Sequence, residues 1–250
     1  MARIAVVTGA SSGIGEATAR ALAREGFRCV LVARRRERLE RLAAELGGEF
    51  EVCDVADREA VGRVAGAVLE RHPRVDLLVC SAGIPGRADF LTLEPERIEA
   101  VLSTNYLGSV WCARAFLPGL GAGSHIVNVI SVAGSVAFGP AGPYAASKHA
   151  QLAFSRSLAA LLSSRGISVH SVSPGFVETE GFPQRAVLAS AFFRRAVIGP
   201  DVVAAHILRV LQKNRRESFV PRWYRALAIA QALTPSLVAR LVARSGYRRP

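Results

Sequence analysis

Short apolar runs alternate with helix-period runs from the first residues to about Val220, and this rhythm constrains the fold more than any other feature. Ile4–Val7 reads as a strand and Gly13–Glu25 as a helix; Cys29–Ala33 and Arg36–Leu46 repeat the pair, as do Phe50–Cys53 and Ala60–Glu70. Leu77–Cys80 precedes a long helix over Glu96–Leu117, then His125–Ile130 precedes another over Tyr144–Ser164. Ser168–Ser173, Pro200–Lys213 and Ser218–Val220 complete the series. These strands are apolar at successive positions, as strands covered on both faces must be. Repeated strand–helix units imply an α/β class: a doubly wound, mostly parallel sheet with helices on both faces. A chain of 250 residues, half of them hydrophobic, suits one such domain. Its predicted extent is 1–221, with 222–250 as a basic amphipathic extension.

The first strand runs into Thr8-Gly9-Ala10-Ser11-Ser12-Gly13-Ile14-Gly15, and a helix follows. Glycines let a backbone turn tightly and approach a pyrophosphate. The helix N-terminus then offers unpaired N–H groups and partial positive charge to that anion. A glycine-rich turn alone is common, and its place after the first strand of a βαβ unit gives it weight. The spacing is G-x-x-x-G-x-G rather than G-x-G-x-x-G. With this loop the chain resembles the short-chain dehydrogenase/reductase family, a Rossmann-like family, and the resemblance extends to about Val220.

The second strand ends at Ala33-Arg34-Arg35-Arg36. An acid at this tip would bond a ribose 2′-hydroxyl and repel a 2′-phosphate. Arg34 and Arg35 can instead grip a phosphate through guanidinium forks, or they can simply open a solvated helix, as Arg36 does. In the family, a basic tip implies NADP(H) over NAD(H). The resemblance also gives Asp54, followed by Val55, an adenine contact, with capping of the next helix as the alternative. Cys80-Ser81-Ala82-Gly83 stands where the family carries Asn-Asn-Ala-Gly. Both asparagines are replaced, while Ala82 and Gly83 still permit close approach to a ribose.

Tyr144 and Lys148 are one helical turn apart and share a face. That pattern is common on helices. Ser131 at the end of the preceding strand and Asn105 in the long helix raise its specificity, because all four match family positions. Reducing a ketone builds negative charge on oxygen, which needs a proton donor and a second hydrogen bond. Tyrosine is a poor base at neutral pH unless an adjacent ammonium favours its phenolate. Tyr144 is therefore the expected acid/base, Lys148 its electrostatic partner and Ser131 the holder of the substrate oxygen. The resemblance gives Lys148 a second role on the nicotinamide ribose and gives Asn105 the placing of a relay water. Read without the family, Asn105 is a helix-interior amide bonding to backbone. Pro174-Gly175-Phe176-Val177-Glu178-Thr179 resembles the family's P-G-x-V-x-T, whose backbone and threonine orient the carboxamide.

Glu180 to Gly199 is the expected substrate segment, with Phe182, Val187, Leu188, Phe192 and Phe193. It suggests a lipophilic carbonyl or alcohol substrate, or else a lid packed on the core. Arg185, Arg194 and Arg195 could receive an acidic group. The formal charge of +12 is partly a C-terminal feature: no acid follows Glu217, while Arg222, Arg225, Arg240, Arg244, Arg248 and Arg249 do. Trp223, Tyr224, Leu227, Ile229, Leu233, Leu237, Val238, Leu241 and Val242 lie among them, with Pro235 interrupting. Such a tail could meet anionic lipid, cover an apolar part of the domain, or form a subunit contact. No nucleic-acid module accompanies the charge, so nucleic acid is not an expected partner.

Cys29, Cys53, Cys80 and Cys112 form no metal-like or paired spacing and read as small core residues. No metal is expected, and His149 and His170 read as packing or surface residues. The start enters a strand directly, with no room for a signal peptide, and no apolar run reaches the roughly 18–20 residues of a membrane span. A cytoplasmic protein, possible lipid contact aside, is the expectation. The resemblance implies a homo-oligomer built on the two long helices, where Ala145, Ala146, Ala150 and Ala153 permit close packing. The alternative function is a nucleotide-sensing or scaffold protein of the same fold without catalysis.

Overall fold

The computed structural model describes residues 2–86, 88, 90–137, 142–182 and 196–244. Seven parallel strands form its main sheet: β1 Arg3–Thr8, β2 Phe27–Ala33, β3 Glu49–Val52, β4 Leu77–Cys80, β5 His125–Val129, β6 Ser168–Pro174 and β9 Glu217–Val220. Their order is β3-β2-β1-β4-β5-β6-β9. A small parallel pair, β7 Phe176–Val177 and β8 Val197–Ile198, stands apart from it and was not anticipated. The helices are α1 Gly13–Arg24, α2 Arg36–Leu46, α3 Arg58–Arg71, α4 Pro95–Leu102, α5 Gly108–Phe116, α6 Gly142–Leu162, α7 Pro200–Gln212, α8 Tyr224–Leu233 and α9 Pro235–Arg244. Each predicted element lies on an observed one.

Strand alternation divides the core in two. Val7, Leu31 and Val79 pack with Leu22, Leu39, Val203 and Ile207 on one face. Their neighbours Val6, Val30 and Leu78 pack with Val68, Phe116 and Leu162 on the other. Successive side chains of a strand point to opposite faces, so a two-sided sheet needs the unbroken apolar runs seen in the sequence. Burying each such Val or Leu stabilises the fold by about 1.5–3 kcal/mol.

The order reverses between β1 and β4, whose Thr8 and Cys80 are in register. In an open α/β sheet that reversal leaves a crevice beyond the carboxyl ends of the strands. The Thr8 hydroxyl fastens it, donating to the Val79 carbonyl and accepting from the Ser81 and Ala82 amides.

One helix departs from the sequence expectation. The long helix is not uniform: Ser103–Leu107 between α4 and α5 is a π-helical turn. The tail covers an apolar part of the domain, one of the roles left open to it in the sequence. Tyr224 and Val238 are buried with Val132 and Val136, and Phe176, Phe219, Leu227 and Ala230 pack around them. Among the described residues, no helix is long and apolar enough to cross a membrane.

Candidate active site

A cleft of about 360 Å³ opens at the β1/β4 crevice. Of the residues singled out in the sequence, Gly9, Ser11, Ser12, Gly13, Ile14, Gly15, Arg34, Arg35, Asp54, Val55, Ser81, Ala82, Gly83 and Thr179 line it. A smaller hollow of about 180 Å³ lies at the other end of the strands, beside Arg3, Phe27, Leu77 and His125.

The loop after β1 has bare backbone for a physical reason. Gly9 adopts φ +67°, and a Cβ there would stand 2.8 Å from the Ala82 backbone; at Gly15 it would stand 2.3 Å from the Gly9 carbonyl oxygen. Ser12 precedes α1 without capping it through its side chain, so first-turn N–H groups face the cleft without that partner. Bare backbone, exposed N–H groups and guanidiniums at one mouth fit a dinucleotide carrying phosphates.

Arg35 crosses to the glycine loop, donating to the Ser11 hydroxyl at 3.1 Å, the Ser11 carbonyl at 3.3 Å and the Ser12 hydroxyl at 2.6 Å. It also pairs with Glu180 at 3.2 Å, and Arg38 pairs with the same carboxylate. Arg38 was not singled out in the sequence, and Glu180 was named only as the start of the expected substrate segment. Glu180, which follows the P-G-x-V-x-T run, is held below its usual carboxylate range by the hydrogen bond from Arg38 and the charge of Arg35. Arg34 is more exposed and reaches Asp54 at 3.5 Å. Asp54 does not cap α3. It accepts from the Ala56 amide, while Asp57 accepts from Glu59 and Ala60 at the helix start.

Asn105, Ser131, Tyr144 and Lys148 lie outside the cleft lining proper. Gly83 and Phe182 connect Asn105, Lys148 and Tyr144 to it. A Cβ on Gly83 would stand 3.3 Å from Asn105 Oδ1 and 3.8 Å from Lys148 Nζ, and the Phe182 ring centroid is 5.5 Å from that of Tyr144. Lys148 Nζ is 5.9 Å from the Tyr144 ring centroid. The lysine is 4% exposed, and burial pushes its ammonium down from 10.5 to about 7. Its Nζ donates to the Val129 carbonyl at 3.0 Å and to Gln151 Oε1 at 2.8 Å. Gln151 was also missed in the sequence, although it lies three residues along the same helix face.

Asn105 occupies the π-helical turn and is fully buried. Its Oδ1 accepts from the Ile84 amide at 2.7 Å, and its Nδ2 donates to the Ile84 carbonyl and the Ser147 hydroxyl, each at 3.0 Å. The side chain thus bonds to backbone, as the residue read without the family implied. Ser131, nearly buried, caps a short turn by accepting from the Ala133 amide at 3.1 Å. Thr179 lines the cleft, whereas Pro174, Gly175 and Val177 are not part of its lining. A Cβ on Gly175 would stand 2.0 Å from the Tyr224 ring, so the tail fixes this position as glycine.

The remaining expectations sort simply. His149 bonds to the Ala145 carbonyl, and His170 is buried between His125 and the Arg215 carbonyl. The four cysteines are free and buried. Val187, Leu188, Phe192, Phe193, Arg185, Arg194 and Arg195 lie outside the described residues, as do Arg248 and Arg249.

Residues 3–186 match the protein family described as short chain dehydrogenase. A relative from Danio rerio, "Dehydrogenase/reductase SDR family member 7B", is 36% identical over 191 residues, which make up 71% of this chain and 62% of the relative. The chain therefore spans less than two thirds of that relative's length. An alcohol dehydrogenase from the archaeon Thermococcus sibiricus, complexed with 5-hydroxy-NADP, superposes with a TM-score of 0.77 at 30% identity, covering 87% of this chain and 95% of its own. A short-chain dehydrogenase/reductase from Burkholderia phymatum in complex with NAD gives 0.83 at 26% identity, covering 94% and 95%.

Proposed function

Since the chain belongs to the short-chain dehydrogenase family of oxidoreductases, we propose that it is an NADP(H)-dependent enzyme acting on a carbonyl or secondary alcohol, with Tyr144 as acid/base. The observation that carries this reading is the pairing of Tyr144 with a buried Lys148 behind Gly83, at the inner end of a glycine-lined cleft. The nicotinamide, when bound, supplies the hydride or accepts it. The protein's own residues do the rest. Tyr144 Oη gives a proton to the reduced oxygen, or takes one from an alcohol. The Lys148 ammonium favours the phenolate, and Ser131 Oγ supplies the second hydrogen bond to that oxygen. Lys148 would also hold the nicotinamide ribose, Val177 and Thr179 would orient the carboxamide, and Asn105, whose side chain is engaged by Ile84 and Ser147, would place the relay water.

NADP is preferred because Arg35 and Arg38 converge on one carboxylate, at a strand tip without an acid of its own. Known structures of the family hold either cofactor, so the preference rests on these arginines. Phe182 and the apolar segment after it favour a lipophilic substrate. The test is turnover of hydrophobic aldehydes and ketones with NADPH and NADH. NADPH-dependent turnover lost in Tyr144→Phe is expected; turnover that survives the substitution overturns the assignment.

Two further parts of the reading concern surfaces. The exposed residues Ala146, His149, Ala153, Ser157 and Ala160 form one open face of α6, which we assign to a homo-oligomer contact. The outer face of the tail exposes Trp223, Ile229, Leu233 and Leu237 beside Arg222, Arg225 and Arg240, a composition suited to anionic lipid. Sedimentation with phosphatidylserine vesicles tests it, and equal sedimentation after Trp223→Ser with Leu233→Ser rules it out.

A further inference from the structure

The chain contains 32 basic residues, yet only two are lysines, Lys148 and Lys213. Lys148 is buried, and its surroundings are unusual for a buried cation. Among the described residues no carboxylate pairs with it; its two acceptors are neutral, the Val129 carbonyl and Gln151 Oε1. Cys80, a titrating group close enough to act on it, is itself pushed up to about 12 by burial. A buried ammonium with three donors is costly unless acceptors meet it.

Gln151 is also fully buried, and its amide has a fixed direction. Its Nε2 donates to Ser109 Oγ at 2.7 Å, and that hydroxyl donates to the Asn105 carbonyl at 3.4 Å. The Ser109 proton is thus committed to Asn105, leaving its lone pairs for the Gln151 amide. Turning the glutamine over would set an NH2 group against the ammonium. A single chain of donors therefore runs from Lys148 through Gln151 and Ser109 to the π-helical turn. Each bond in such a chain polarises the next.

We infer that Gln151 is a positioning residue: its carbonyl, aimed by Ser109, seats the Lys148 ammonium at the inner end of the site in place of a carboxylate. This rests on the reading of Tyr144 and Lys148 as a working pair, and the seat acts through Lys148 rather than on substrate. Loss of an acceptor disfavours the charged lysine, and a carboxylate at the same place favours it.

Protein labelled with 13C-lysine and free of cofactor gives two ε-carbon signals, Lys213 being the exposed reference. Titration by NMR should show the Lys148 midpoint falling by about one pH unit in Gln151→Leu, a tenfold loss of proton affinity. It should rise in Gln151→Glu, with Lys213 unmoved in both. Ser109→Ala, which releases the amide while keeping it, should lower the midpoint by a smaller amount and serves if Gln151→Leu does not fold. A Lys148 midpoint unmoved in Gln151→Glu and Ser109→Ala, alongside reduced thermal stability, would show that Gln151 only fills the core and would overturn the inference. Shifted midpoints in a protein whose turnover ignores Tyr144→Phe would uphold the seat and refute the catalytic reading instead.

Discussion

The two ends of the cleft handle charge in opposite ways. Behind the Gly83 wall at its inner end one cation, Lys148, is almost wholly buried and held by neutral acceptors. At the outer end Arg34, Arg35 and Arg38 are substantially exposed and held by carboxylates, Asp54 and Glu180. Burial makes the inner charge responsive to each nearby dipole, because little water screens it. Exposure makes the outer charges adjustable and individually weak, and salt screens them. The proposed proton transfer would suit the first setting, and the proposed phosphate contact the second.

The comparison can be broken at its strongest point first. Tyr144→Phe should reduce turnover by about 10²–10⁴-fold while leaving NADPH affinity, read by fluorescence, close to that of the parent. A loss of affinity as large as the loss of rate would mean that the inner end binds rather than reacts.

The next effect is on stability. Unfolded, lysine keeps its proton up to about 10.5, while folded Lys148 releases it near 7. Between these values the unfolded chain binds more protons, so stability rises with pH across roughly 7 to 10.5, and the penalty is complete below 7. The difference is on the order of a few kcal/mol. Denaturant titrations at pH values of about 6.5 and 9.5 should show it, and Lys148→Met should flatten it; equal slopes for the two proteins would remove the buried cation from the account.

Arg35→Ala should then weaken NADPH binding by about tenfold and NADH binding hardly at all, since a charge-assisted bond to an exposed phosphate is worth about 1.5 kcal/mol. The smallest effect concerns Glu180, which occupies Arg35 and Arg38. Glu180→Gln should tighten NADPH by about two- to threefold at low salt and by less at high salt. Weaker NADPH binding in this variant would mean that Glu180 orients the arginines instead of competing with the phosphate.

Much of this was legible in the residues. A period of two or 3.6 in apolar residues is a local property, so strands such as Leu77–Cys80 and helices such as Arg36–Leu46 could be placed from sequence. The glycine loop was legible for a similar reason: a turn from strand to helix with φ above zero at Gly9 and Gly13 requires glycine locally. Harder to see was the π-helical turn at Ser103–Leu107, because a helix widened by one residue keeps nearly the same apolar pattern; what accompanies it is Asn105 bonding to Ile84, 21 residues away.

The sequence by itself determined the alternation of strands and helices, the doubly wound class and the helix face shared by Tyr144 and Lys148, since these follow from local periodicity and the handedness of strand–helix units. Only the tertiary structure decided that Lys148 rests on Gln151, that Glu180 occupies Arg35 and Arg38 from 142 residues or more away, and that Tyr224 makes Gly175 obligatory. Each of these joins elements distant in the chain, or depends on how deeply a group is buried, and no pattern of neighbours along the sequence carries that information.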